Sequence, residues 1–140
     1  MRSDGKASNE EINPASLFRS LDHGFSQGVV ASGRRTLYVA GQTAWDREKK
    51  LVGGTDLGQQ ARQAFRNVRT VVEAAGGTLS NVVAVRIYVV GYRPEHAEAV
   101  GVAFRECFSG FAAPASTWIG VASLAMPEFL IEVEAIAVLE

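Results

Sequence analysis

Two charged residues stand inside apolar, strand-like runs. Glu132 alternates with Ile131, Val133 and Ala135, and Arg86 lies between Val85 and Ile87. Apolar surroundings disfavour an ionised carboxylate and so suit a carboxyl group for moving protons near neutral pH. Glu132 is therefore the candidate general acid/base, and its plainer role is an ion pair with Arg86. An unpaired charge among apolar neighbours is costly. Arg86 thus either holds an anion in its guanidinium fork or makes a structural pair with Glu132 or Glu134 at a subunit boundary.

Ser116 and Thr117 carry hydroxyls that can donate to a ligand or act as ordinary strand hydroxyls. Trp118 falls on the Ser116 side of its strand by two-residue alternation. It would stack on a flat ligand or fill an interface. His23 lies in the N-terminal stretch and His96 in the first turn of a helix, so no histidine is placed to activate Ser116. The two histidines show no metal-ligand spacing, and no metal or cofactor is expected. Cys107, the sole cysteine, excludes an intrachain disulfide and reads as core because it falls on an apolar helix stripe. Gly53-Gly54 and Gly76-Gly77 lack a phosphate-loop pattern. Arg62, Arg66 and Arg69 share one side of a helix. Flanked by Gln59, Gln63 and Asn67, and without interleaved aromatics, they read as a solvated face before an RNA-binding strip.

The elements that must position these groups follow from pattern. Residues 28–31 and 37–40 are short apolar runs around Ser32-Gly33-Arg34-Arg35, which suggests a hairpin. Gly41-Gln42 ends the second run, and Leu51-Val52 adds a short edge strand. Thr55 or Asp56 can cap a helix whose apolar face is Leu57, Ala61, Ala64, Phe65, Val68, Val71, Val72 and Ala75. Gly76-Gly77 stops it. Residues 82–90 form a strand apolar on both faces except for Arg86. A second helix begins near Pro94, with Ala97, Val100, Phe104, Cys107, Phe108 and Phe111 as its stripe. Residues 116–121 and 131–139 are the last strands. The order is α+β, with two helices on one face of the sheet. The other face is too apolar for water and is expected to pack on further subunits.

The 140 residues suit one domain, with residues 1–20 as a flexible leader and 21–140 as the folded unit. Hydrophobic residues at 47% argue against wholesale disorder, and a net charge of -1 provides no field to draw in nucleic acid. No apolar run nears the roughly 18 residues of a membrane span. Without a signal-like apolar segment near Met1, a cytoplasmic location is expected.

Several segments taken together resemble the RidA/YjgF family of enamine/imine deaminases, some formerly called L-PSP endoribonucleases. They are Pro114-Ala115-Ser116-Thr117, the run from Leu130 to Ala137, Gly41-Gln42, the run from Gln60 to Ala64, Asn67-Val68, and the run from Val72 to Gly76. The likeness extends from about His23 to Val138. It implies a chorismate-mutase-like fold and a homotrimer with a central barrel, outer helices and three clefts between subunits. It also implies hydrolysis of a small enamine or imine in those clefts. The family arginine that grips a substrate carboxylate falls on Ser116, its tyrosine on Phe25 and its small cysteine-like residue on Trp118, while Gly41 and Glu132 are kept. A serine hydroxyl is no substitute for a fixed guanidinium fork. The resemblance therefore implies a divergent deaminase, with the substrate left open beyond 2-iminoacids and Arg86 a candidate replacement anchor. The alternatives are a non-catalytic, ligand-binding or stress-protective trimer and, after it, an endoribonuclease or translation inhibitor.

Overall fold

The fold is seen in a computed structural model, which describes residues 9–140. Six strands and two α-helices follow in the order β1 (Glu10–Ile12), β2 (Gly28–Val30), β3 (Arg35–Gln42), α1 (Leu57–Ala74), β4 (Val82–Val90), α2 (His96–Phe108), β5 (Ala115–Val121) and β6 (Ile131–Leu139). The main sheet has the strand order β3-β6-β4-β5, with β4 and β5 parallel and the other neighbours antiparallel. The expected α+β arrangement, a mixed sheet with both helices on one face, is the one present.

Helix α1 begins where its sequence provides a cap. The Asp56 carboxylate accepts from the Gln59 amide at 3.1 Å, satisfying one of the first-turn donors that no helical carbonyl can reach. It ends at Ala74, with Ala75 as its cap and then Gly76, whose φ of 89° is left-handed. Its apolar stripe meets Val39, Ile87, Val89, Ile131, Val133 and Ala135 from the sheet in one core. Phe65 of α1 and Phe104 of α2 stand edge to face with centroids 5.7 Å apart, which ties the helices together.

The expected hairpin between residues 28–31 and 37–40 does not form. β2 pairs with β1 in a separate two-stranded sheet, while β3 joins β6. Gly33 shows why the chain leaves β2. A Cβ there would stand 2.5 Å from the Leu139 carbonyl oxygen, so the absent side chain lets residues 33–34 close onto β6, and Arg34 donates to that carbonyl at 3.0 Å. Leu51 forms a single bridge with Trp45 in place of an edge strand.

Part of the expected leader, up to Ser8, lies outside the described residues. From Asn9 the chain runs along the domain: the Glu11 carboxylate accepts from the Ala113 amide at 3.0 Å, and Asn9 donates to the Ser80 carbonyl at 3.2 Å. Residues 11–19 are exposed throughout.

Alternation sorts the sheet into two faces. Val85, Ile87 and Val89 of β4 and Ile131, Val133, Ala135 and Ala137 of β6 are buried under the helices. The opposite face presents Ala84, Arg86, Tyr88 and Val90, then Glu132, Glu134, Ile136 and Val138, with Tyr38 of β3 74% exposed. No element of the chain covers this face among the described residues.

Candidate functional site

The open face carries one group of the candidate residues. Strand β3 has an irregularity between Val39 and Gln42, which brings Gly41 against the side chain of Glu132. A Cβ at Gly41 would lie 2.8 Å from Glu132 Cγ and 2.6 Å from Cδ, and closer still to one carboxylate oxygen. The glycine is thus the floor on which the carboxylate rests, and its φ is not positive, so space rather than backbone freedom is what it supplies.

Tyr88 pairs in register with Glu132, and its hydroxyl donates a short hydrogen bond to the Glu134 carboxylate. That bond holds the phenol above its ordinary pKa; burial and the Glu134 charge add to the effect, and Arg86 opposes it. Sequence reasoning passed over this pair. Its signal was the i, i+2 spacing of Glu132 and Glu134 opposite an aromatic hydroxyl. Arg86 stands beside Glu134 and Thr117 in register and is exposed. Among the described residues it makes no ion pair, so the expected structural bridge to Glu132 or Glu134 is not made within one chain.

The second group lies on the helix-facing side, at the β5 edge. Ser116 is paired with Val85, and Trp118 with Ile87, both of them core-facing positions. The Trp118 Nε1–H donates to Ser116 Oγ at 3.1 Å, and its ring meets Tyr92 edge to face at 6.4 Å. Phe25 reaches the same core because Ser26 bridges Ala115. The Ser26 amide donates to the Pro114 carbonyl at 2.9 Å, and its hydroxyl donates to the Ala113 carbonyl at 2.8 Å. Arg86 and Ser116 therefore leave neighbouring strands on opposite faces. Glu132, Gly41 and Arg86 are brought together on one face, and Ser116, Trp118 and Phe25 on the other.

The remaining candidates take structural roles. Cys107 packs against the core, and burial pushes its thiol up to about 11, with Arg69 opposing. It borders a cleft of about 170 Å³ between α1 and α2, also lined by Arg62, Arg66 and Arg69. There Arg62 grips Glu106 at 2.9 and 3.3 Å, Arg69 meets Glu73 at 3.0 Å, and Arg66 donates to Gln63 at 2.8 Å. Such internal partners suit a solvated helix face. His23 packs edge to face on Phe18, and His96 Nδ1 accepts from the Arg93 amide at 3.0 Å. No group of three or more His, Cys, Asp or Glu among the described residues could hold a metal ion. No helix among them is long and apolar enough to cross a membrane.

The model of the family described as Endoribonuclease L-PSP matches residues 19–139. A 2-iminobutanoate/2-iminopropanoate deaminase of Dermatophagoides farinae is 35% identical over 118 residues, covering 83% of this chain and 86% of its own. Among solved structures, a Rid-family protein of unknown function from Yersinia pestis is 40% identical with a TM-score of 0.91, covering 94% of this chain and 98% of its own. A YjgF/YER057c/UK114-family protein from Mycobacterium tuberculosis is 30% identical with a TM-score of 0.63, covering 94% and 100%. These likenesses mean that the chain belongs to the Endoribonuclease L-PSP, or Rid/YjgF, family.

Proposed function

We propose that this protein is a cytoplasmic homotrimer that hydrolyses a small enamine or imine in clefts between subunits. The observation that carries the reading is the division of the candidate residues between two faces of one sheet. One chain cannot gather them around a ligand. A second copy laid on the open face could bring the β5 edge of one subunit, with Ser116, Trp118 and Phe25, opposite Glu132, Gly41 and Arg86 of another. Covering that face would also remove Ile136, Val138, Val90 and Tyr38 from water, at roughly 25 cal/mol for each Å² of apolar surface buried. The deaminase activity named for the mite relative supports the reaction class.

The chemistry needs little apparatus. Glu132 takes a proton from water as the water oxygen bonds to the imine carbon and the C=N π bond opens onto nitrogen. Glu132 returns that proton to the nitrogen, giving a carbinolamine; the carbinol proton then passes through Glu132 to the nitrogen as the carbonyl forms, the C–N bond breaks, and ammonia leaves. Gly41 keeps the carboxylate in place, and Arg86 contributes the cation of the same wall. Ser116, Phe25 and Trp118 bound the ligand from the other side.

The test is the decay of a 2-iminoacid generated in situ by a pyridoxal-phosphate-dependent dehydratase. Wild type accelerates the decay and Glu132→Gln loses at least about a hundredfold, the range of a positioned general base. Equal decay with and without protein rejects the reading for 2-iminoacids. Ser116 favours a second reading, a trimer that binds a small ligand without turning it over, since its hydroxyl gives no fixed positive charge. Saturable ligand binding with no acceleration of any imine's decay would establish that alternative.

A further inference from the structure

We propose that the cleft between α1 and α2 is a ligand site of its own, suited to a small phosphate monoester with an aromatic body. It goes beyond the proposed function: none of the residues lining it belongs to the imine site, and the sheet stands between it and Glu132 and Arg86, which leave the face opposite the helices.

Arg62, Arg66 and Arg69 follow one another along α1 at steps of four and three, which stacks them on one face. Like charges at that spacing repel one another and weaken a helix. One carboxylate, Glu106 of α2, lines the cleft with them. It accepts from Nε and Nη2 of Arg62 at 2.9 and 3.3 Å. Glu73 accepts only from Nε of Arg69, whose guanidinium also lies over the Phe111 ring, 5.3 Å from its centroid. Arg66 has no carboxylate partner among the described residues, and its guanidinium makes one hydrogen bond, from Nη1 to the Gln63 side-chain oxygen at 2.8 Å. A guanidinium carries five N–H donors, so Arg66 and Arg69 keep most of theirs. These partners hold each planar group by one edge and leave donors of another edge unused, so the cations are in place before a ligand arrives.

The floor is apolar. Phe65 and Ala103 are buried, and Cys107 packs against the core, its thiol pushed up to about 11 by burial although Arg69 opposes. Charge and shape then select the ligand. Three arginines against one glutamate leave two positive charges in surplus along the lining, and a phosphate monoester carries nearly two negative charges near neutral pH with three acceptor oxygens. Guanidinium forks grip phosphate oxygens in pairs. The cleft's volume of about 170 Å³ compares with the roughly 150 Å³ cavity that takes a benzene ring, so one ring fits on the floor with its phosphate among the arginines. A nucleic-acid strand suits it less, because no aromatic platform for bases stands between the arginines and the chain's net charge is -1.

The experiment titrates the full-length protein by calorimetry with phenyl phosphate, and with phenol and inorganic phosphate as its two halves. Wild type binds phenyl phosphate at least about tenfold more tightly than either half. Arg66→Ala lowers that affinity roughly tenfold or more, the loss of a charge-assisted contact, while the fold survives because the side chain is exposed. Arg66→Lys falls between, keeping the charge without the fork. Arg47→Ala, at an exposed arginine outside the cleft, changes the affinity less than about twofold. Cys107 reports position: saturating phenyl phosphate slows its reaction with a disulfide reagent at pH 9 at least about fivefold, since the ring covers the floor. No binding of phenyl phosphate, equal affinity for the whole and a half, affinity unchanged in Arg66→Ala, or a Cys107 rate unchanged at saturation each overturns the inference. So does an affinity that falls in Arg86→Ala instead, which puts the anion on the open face of the sheet, or an RNA hexamer that binds more tightly than phenyl phosphate through Arg66. Imine hydrolysis enters none of these readouts, so its absence refutes the proposed reaction and leaves the cleft standing.

Discussion

Replacing Gly41 with alanine tests the proposed role of Glu132 without touching the carboxylate itself. The new Cβ would stand 2.8 Å from Glu132 Cγ and 2.6 Å from Cδ, where carbon atoms rest at about 3.5–4.0 Å. The carboxyl group must therefore retreat by roughly 1 Å. It has room to do so within its own chain, because it ends a flexible side chain on a face that no other element covers among the described residues. Gly41 has no positive φ, so alanine restrains the unfolded chain and brings a gain of about 0.4–1 kcal/mol against the cost of the shift. Thermal stability should thus change by no more than a few degrees. A displacement of about 1 Å at a reacting group costs about a hundredfold in rate. Gly41→Ala should lose about two orders of magnitude in kcat/KM for imine hydrolysis, in the coupled dehydratase assay, at an unchanged oligomeric state by light scattering. A kcat/KM within twofold of wild type would refute the placement of the chemistry at Glu132. A fall in activity accompanied by a collapse in melting temperature would refute the claim that the glycine serves only the site.

Three further outcomes follow from the same geometry. Arg86→Ala should fold and assemble as wild type does, since the side chain is exposed and without an ion pair among the described residues, and should lower kcat/KM for an anionic imine about tenfold or more; an unchanged kcat/KM removes Arg86 from the site. Asp56→Ala should destabilise the protein by about 1 kcal/mol in urea unfolding with activity retained, because only the cap to the Gln59 amide is lost; a change below about 0.3 kcal/mol would mean that the bond contributes nothing. Cys107, with its thiol pushed up to about 11, should react with a disulfide reagent far more slowly at pH 8 than the denatured chain does. Its rate should rise roughly tenfold per pH unit up to that value, since only the thiolate attacks, and a plateau near pH 9 would show a thiol that burial does not perturb.

Much of the fold was legible because helices and buried strands are written in local periodicity. The stripe from Leu57 to Ala75, the Asp56 cap and the Gly76 stop gave α1 within a residue or two, and alternation in residues 131–139 gave both the strand and its faces. Pairing was less legible, because a strand's partner is chosen by distant residues. Nothing near Val29 states that it will lie beside Glu11, and the glycine at 33 that suggested a tight turn serves instead to admit the Leu139 carbonyl. The candidate site divides the same way. Glu132 and Arg86 were visible as charges in apolar runs. Tyr88 with Glu134 depends on which strands become neighbours, and spacing within one element shows only that Glu132 and Glu134 share a face.

The two faces of β4 bear on both the assembly and the site. A sheet with helices on one side needs only one apolar face, yet Ala84, Tyr88 and Val90 make the second face of β4 mostly apolar as well, with Arg86 set among them. In a lone chain Arg86 is simply exposed and meets no cost. Once another subunit covers the face, its guanidinium loses water and must find an anion, either a carboxylate of the assembly or one brought by a ligand. The arginine is thus harmless in the separate subunit and demanding in the assembled one, a property suited to a residue that works in a cleft which exists only after assembly. Dilution should accordingly abolish the contribution of Arg86 to substrate binding at the same protein concentration at which the oligomer dissociates. Retention of that contribution in isolated subunits would place the cleft within a single chain.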